Sequence, residues 1–194
     1  MQITFVGHAC FQIQTGGFKI ITDPYSSQIG YSPVNLGADI VTLSHDNPKW
    51  HSCLDDVRGD FQVVNGLEIV GETLRAGAIS FEAIEVFENL PDDGPNAMLK
   101  ITAEKTRILH MGDVGHALDD ATREKCGEID VLLAPTGGAP TISLPDLLEF
   151  IEKLAPKIVI PMHFGVPNLA MNALPLEAVA ALVDFMGDFQ KRHG

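Results

Sequence analysis

Arg107-Ile108-Leu109-His110-Met111-Gly112-Asp113-Val114-Gly115-His116 is the most informative stretch of this chain. It opens as a short apolar run, a strand by composition, and stops at a histidine that is followed three residues later by an aspartate. Two other apolar runs stop in the same way. Asp39-Ile40-Val41-Thr42-Leu43-Ser44 ends at His45, and Lys157-Ile158-Val159-Ile160-Pro161-Met162 ends at His163-Phe164-Gly165. In open α/β sheets the carboxyl ends of strands line the ligand crevice, so three histidines and Asp113 are expected to converge from distant positions. Imidazole and carboxylate together suit zinc, iron or manganese. Taken singly, each histidine could instead cap its strand by bonding a neighbouring carbonyl; three in one topological place favour a site.

Outward from this stretch the pattern is α/β. After Arg107, the apolar runs 107–109, 129–133 and 157–160 alternate with helical patterns near 118–126, 145–154 and 175–191. The first hundred residues read mainly as strands: 2–6, 10–14, 18–22, 39–43, 61–64, 79–86 and 98–102, with Thr15-Gly16-Gly17 as a hairpin turn and a weak helical signal over 53–58. No repeat, low-complexity tract or long linker divides the chain, so residues 1–194 are expected to form a single domain.

Composition narrows the function. The 194 residues are 45% hydrophobic and 20% charged, a globular balance, with 26 acidic against 13 basic residues and a net charge of −13. Such a field repels polyanions, so neither nucleic acid nor an anionic membrane is expected as a partner. Cys10, Cys53 and Cys126 are far apart and lack Cys-x-x-Cys spacing, which suggests neither a disulfide framework nor a thiolate zinc site and fits a cytoplasmic setting. The N-terminal residues lack a signal-peptide pattern, and no apolar run approaches the ~20 residues of a membrane span.

The whole chain resembles the metallo-β-lactamase superfamily, in particular its short bacterial branch of metal-dependent hydrolases related to ascorbate-lactonase-like proteins. The resemblance is carried by Gly7-His8, Thr22-Asp23-Pro24, Thr42-Leu43-Ser44-His45, His110 to His116, Leu133-Ala134-Pro135-Thr136-Gly137-Gly138 and Ile160 to Gly165, in that order. It implies a four-layer αββα sandwich with the site at one edge, between the two sheets. It also implies that Asp23 orients a histidine and that His8 and His116 flank the mouth of the site, where they join Asp113 as candidate catalytic residues.

The departure lies in the family's loop, which ordinarily reads His-x-His-x-Asp-His. Here it reads His45-Asp46-Asn47-Pro48-Lys49-Trp50-His51, so Asn47, Lys49 and Trp50 stand where two histidines and an aspartate are usual. By the family's count, a full dinuclear centre is not expected. His45, His110, Asp113 and His163 remain as the expected ligands of one divalent ion, zinc first, with manganese or iron as alternatives. Lys49 is expected to face solvent and His51 to be a solvated surface residue.

The resulting expectation is a hydrolase in which one metal ion activates water for attack on a small-molecule ester, lactone, amide or phosphoester. The alternative is a catalytically degenerate binding or scaffolding protein, with a homo-oligomer compatible with either. No Gly-x-Ser-x-Gly elbow supports a serine hydrolase, and the motifs of calcineurin-like phosphoesterases are absent.

Overall fold

The computed structural model describes residues 1–88, 94–166 and residue 187, and its described strands form two sheets. β1 (Gln2–Gly7), β2 (Cys10–Thr15), β3 (Phe18–Thr22), β4 (Ile40–Leu43) and β5 (Gln62–Asn65) lie side by side in chain order, antiparallel from β1 to β3 and parallel from β3 to β5. The second sheet runs in reverse chain order: β11 (Ile158–Met162), β10 (Val131–Pro135), β9 (Thr106–His110), β8 (Pro95–Ala103), β7 (Ile79–Phe87) and β6 (Thr73–Ala76). Its last three strands in the chain are mutually parallel, as the alternation of apolar runs and helices implies. α1 (Asp120–Cys126) crosses from β9 to β10, and α2 (Leu144–Leu154) from β10 to β11.

Local chemistry sets these boundaries. The β2–β3 hairpin turns on Gly16 and Gly17, with φ of 56° and 83°, the paired left-handed backbone that a tight hairpin requires. Asp119 caps α1 by accepting from Thr122 N at 2.8 Å, and Ser143 caps α2, with Pro145 in its first turn. All ten strands expected from the sequence are present. β6 is not anticipated, because Thr73-Leu74-Arg75-Ala76 is short and mostly exposed, with Leu74 its only large apolar residue. Residues 53–58 form turns instead of helix, and the expected helix over 175–191 lies outside the described residues.

The core follows the period of two along the strands of the first sheet, whereas the inner strands of the second are buried on both faces. Phe11, Ile13, Ile20, Ile40 and Val64 of the first sheet join Phe81, Val86, Met98, Ile101 and Leu109 of the second in one buried cluster. Their alternates Cys10, Ile21, Val41 and Leu43 face the other way and are covered by Tyr25, Ile29, Val34 and Val57 from loops. The expected sandwich of two sheets is therefore observed, with helices against the second sheet. Among the described residues, loops and the short turn Ser27–Ile29 cover the first.

An ion cluster ties the entrances of β9, β10 and β11 together. Asp130 accepts from Arg107 N at 2.9 Å and Arg107 Nε at 2.8 Å, and pairs with Lys157 Nζ at 2.7 Å. Hydrogen bonds from Arg107 and then from Lys157 hold its carboxyl well below the usual carboxylate range. A depressed folded-state pKa contributes stability above the unfolded value of about 3.9, and that contribution is lost as pH falls through the folded value. Asp130→Asn is therefore expected to lower the urea midpoint at pH 7, with a gap from wild type that narrows steadily below about pH 4. A gap independent of pH would contradict this assignment.

Candidate metal centre

Six strand ends converge on one buried cluster. β1 delivers His8, β3 delivers Asp23, β4 delivers His45, β7 delivers Glu88, β9 delivers Asp113 three residues past its end, and β11 delivers His163. His8, Asp23 and His163 all adopt left-handed backbone, with φ of 53°, 37° and 52°. Such a conformation costs a non-glycine residue about 1–3 kcal/mol and persists only where the surroundings enforce it. One enforcing contact joins the two sheets directly: His163 N donates to His8 O at 2.8 Å. Gly112, at φ 59°, makes the turn that swings Asp113 inward; a Cβ there would lie 2.5 Å from Asn96 Oδ1 and 2.7 Å from Ser44 Cβ.

His51 occupies the centre. Its Nδ1 lies 3.1 Å from Asp23 Oδ2, and its Nε2 lies 2.8 Å from Asp113 Oδ2 and 3.2 Å from His8 Nε2. His163 Nε2 lies 3.2 Å from Asp113 Oδ1, and the rings of His8 and His163 are 4.2 Å apart. Donor atoms of His8, His51 and His163 fall within 4.8 Å of one another, as do those of His45, His51 and Asp113. His8, His51 and Asp23 have no exposed surface, and His45 and His163 have only 2%.

The electrostatics are those of a cation site. Burial lowers the His8 pKa, and the neighbouring His163 and His51 lower it further. Burial also lowers that of His45. His51 is the exception: burial alone would lower its pKa, but Asp113 and Asp23 on either side push it up to about 10. Burial acts to raise both carboxyls, yet His110 and His51 beside Asp23, and His163 and His51 beside Asp113, hold them below the usual range. Four buried polar atoms of the cluster, His8 Nδ1, His45 Nε2, Asp113 Oδ1 and His163 Nδ1, make no normal hydrogen bond. Ligands about 2.0–2.1 Å from a tetrahedral ion stand roughly 3.3 Å apart, close to the 3.2 Å of the His8–His51 and His163–Asp113 pairs. The residues present thus fit a divalent ion.

The structure corrects the sequence reading of His51, which is buried rather than solvated. The loop after β4 winds one helical turn, with the amides of Trp50, His51 and Ser52 all donating to Asn47 O at 2.8–3.0 Å. That turn points His51 inward and leaves Lys49 exposed, its Nζ 5.0 Å over the Trp50 ring. His8 joins the cluster itself instead of flanking its mouth. His110 does not join: its Nε2 bonds Ala9 O at 2.8 Å and its Nδ1 accepts from Gly112 N at 3.1 Å, so no nitrogen is left for an ion. His116 is likewise engaged at both nitrogens by backbone, accepting from Phe87 N at 3.3 Å and bonding Ala117 O at 2.9 Å. Of the expected ligands, His45, Asp113 and His163 are brought together.

The model of the β-lactamase superfamily domain matches residues 2–163. The chain belongs to the β-lactamase superfamily. Superfamily relatives include a UPF0173 protein of Pyrococcus furiosus, 27% identical with 85% of this chain and 84% of the relative covered. A UPF0173 metal-dependent hydrolase of Methanopyrus kandleri is 24% identical with the same coverage. A solved structure of a metallo-β-lactamase superfamily protein from Thermotoga maritima is 35% identical and superposes with a TM-score of 0.76, covering 93% of this chain and 84% of that one.

Asp23 is the residue on which ligand orientation depends. Asp23→Asn is expected to weaken zinc affinity by about 10–100-fold, the usual effect of losing a carboxylate behind a ligating histidine, in a competition titration with a chelator. Unchanged affinity would show that His51 is held without it.

Proposed function

We propose that this chain, a metal-dependent hydrolase, uses one tightly held divalent ion at His8, His51, His163 and Asp113 to hydrolyse a small-molecule ester, lactone, amide or phosphoester. The observation that carries this reading is the buried cluster of donor atoms at ligand spacing with unsatisfied nitrogens. A divalent ion in such a site supplies Lewis acidity, lowering the pKa of water toward ~7 and polarising a carbonyl or phosphoryl oxygen.

The chain's own groups divide the remaining work. Asp23 accepts from His51 Nδ1, so the His51 Nε2 lone pair faces the centre once its proton has left. Asp113 Oδ1, which makes no normal hydrogen bond and lies 3.2 Å from His163 Nε2, is the oxygen donor to the ion. Trp50, its ring 5.2 Å from that of His8, provides an apolar wall beside the cluster. A net charge of −13 supports a small molecule over nucleic acid as substrate.

Metal analysis of protein purified without chelators is expected to give about one tightly held ion per chain. His163→Ala should reduce it to near zero with the fold retained. His110→Ala should keep the ion and lose about 1–3 kcal/mol of stability, because Ala9 O and Gly112 N lose a buried partner. Loss of metal from His110→Ala with retention in His163→Ala would reverse the ligand assignment. A folded wild type with no metal and no turnover across a panel of esters, lactones, amides and phosphoesters would favour the non-catalytic binding protein.

A further inference from the structure

β8 and β9 separate at the edge of the centre, and a side chain takes over where their ladder stops. Their last backbone pairing there is Leu99 with His110. Beyond it the chain turns at Met111-Gly112-Asp113, while β8 reaches back to Asn96 and Pro95. Asn96, with no exposed surface, fills the gap. Its Nδ2 donates to Met111 O at 3.1 Å, and its Oδ1 accepts from Asp113 N at 3.3 Å. A carboxamide carries a donor and an acceptor side by side, as a peptide group does, so it serves as the next rung for both ends of the turn. The other side of Met111 is held as well, its N donating to Leu133 O at 3.1 Å.

The turn has no room to settle elsewhere. A Cβ at Gly112 would lie 2.5 Å from Asn96 Oδ1 and 2.7 Å from Ser44 Cβ, so the turn is wedged between the two side chains. Ser44 stands at the end of β4 in the first sheet, yet it is tied to the same segment of β8, because Ala97 N donates to Ser44 O at 2.9 Å. Ser44 in turn donates to Asp23 through its N at 2.8 Å and its Oγ at 2.5 Å. Asp23 and Asp113 are the carboxylates on either side of His51, 3.1 Å from its Nδ1 and 2.8 Å from its Nε2. A continuous route of bonds therefore connects them across the two sheets, and Asn96 is its link to Asp113.

We propose that Asn96 is a positioning residue for the ion, setting where Asp113 stands relative to Asp23 and His51. This rests on the proposed ion at His8, His51, His163 and Asp113. An aliphatic residue at position 96 would leave Met111 O and Asp113 N unpaired in a buried place, and the turn would shift to satisfy them. A displacement of about 0.5 Å is enough to spoil a ligand set, and losing a group that holds a ligand weakens metal binding by about 10–100-fold.

The test is a cobalt titration of chelator-stripped protein, with affinity taken from competition against a chelator and geometry from the visible absorption of bound Co(II). Wild type is compared with Asn96→Ala, the milder Asn96→Ser and Asp130→Asn, each verified as folded by circular dichroism. Asp130→Asn weakens the ion cluster at the strand entrances, the opposite ends from the centre, and so controls for lost stability. Wild type should bind one tightly held equivalent. Asn96→Ala and Asn96→Ser should weaken it by about tenfold or more and shift the absorption bands, whereas Asp130→Asn should match wild type in both. Unchanged affinity and bands in a folded Asn96 variant, equal weakening in Asp130→Asn, or loss of the fold in both Asn96 variants would overturn the role of Asn96 alone. No cobalt binding by wild type would overturn the ion itself.

Discussion

The Asp23 carboxylate, with no exposed surface, receives three hydrogen bonds: from Ser44 N at 2.8 Å, from Ser44 Oγ at 2.5 Å and from His51 Nδ1 at 3.1 Å. A buried anion is tolerable only when it is so fully satisfied. Two of those bonds also set a neighbour. The bond to His51 fixes its ring orientation, and the bond from the Ser44 hydroxyl places Ser44 Oγ 2.9 Å from His45 Nδ1. One side chain thereby positions two imidazoles on a loop that has lost its family pattern. Its own position is enforced by an uncommon backbone, φ 37°, and by Asp23 N donating to Thr42 O at 2.9 Å.

The rest of the centre is an outcome of how the sheets are stacked. Parallel strands in both sheets deliver their carboxyl ends to the same edge, so His45, Asp113 and His163 meet although the chain separates them widely. The bond from His163 N to His8 O closes the two sheets at that edge and holds two strained residues in register. Strain in the loops is balanced by an apolar core that runs through both sheets beneath them.

Much of this was legible in the sequence. The strand runs ending at His45 and His163, and the Gly112-Asp113 turn, announce their places at the cluster because apolar runs that stop at polar residues are unusual. The same logic misled at His110, whose side chain turns back to the backbone of Ala9 and Gly112; a strand-end histidine that caps and one that ligates look alike in one dimension. His51 was hidden by the turn over Asn47–Ser52, since a loop read as extended places it one step past the site while a single helical turn places it at the centre.

The central claim is that His8, His51 and His163 supply three imidazoles to one ion with Asp113 as the oxygen donor. X-ray absorption at the zinc edge of protein reconstituted with one equivalent tests it most directly. The account predicts about three imidazole scatterers with nitrogen near 2.0–2.1 Å and one oxygen at a similar distance. A spectrum with at most one imidazole, or one dominated by sulfur near 2.3 Å, would contradict it.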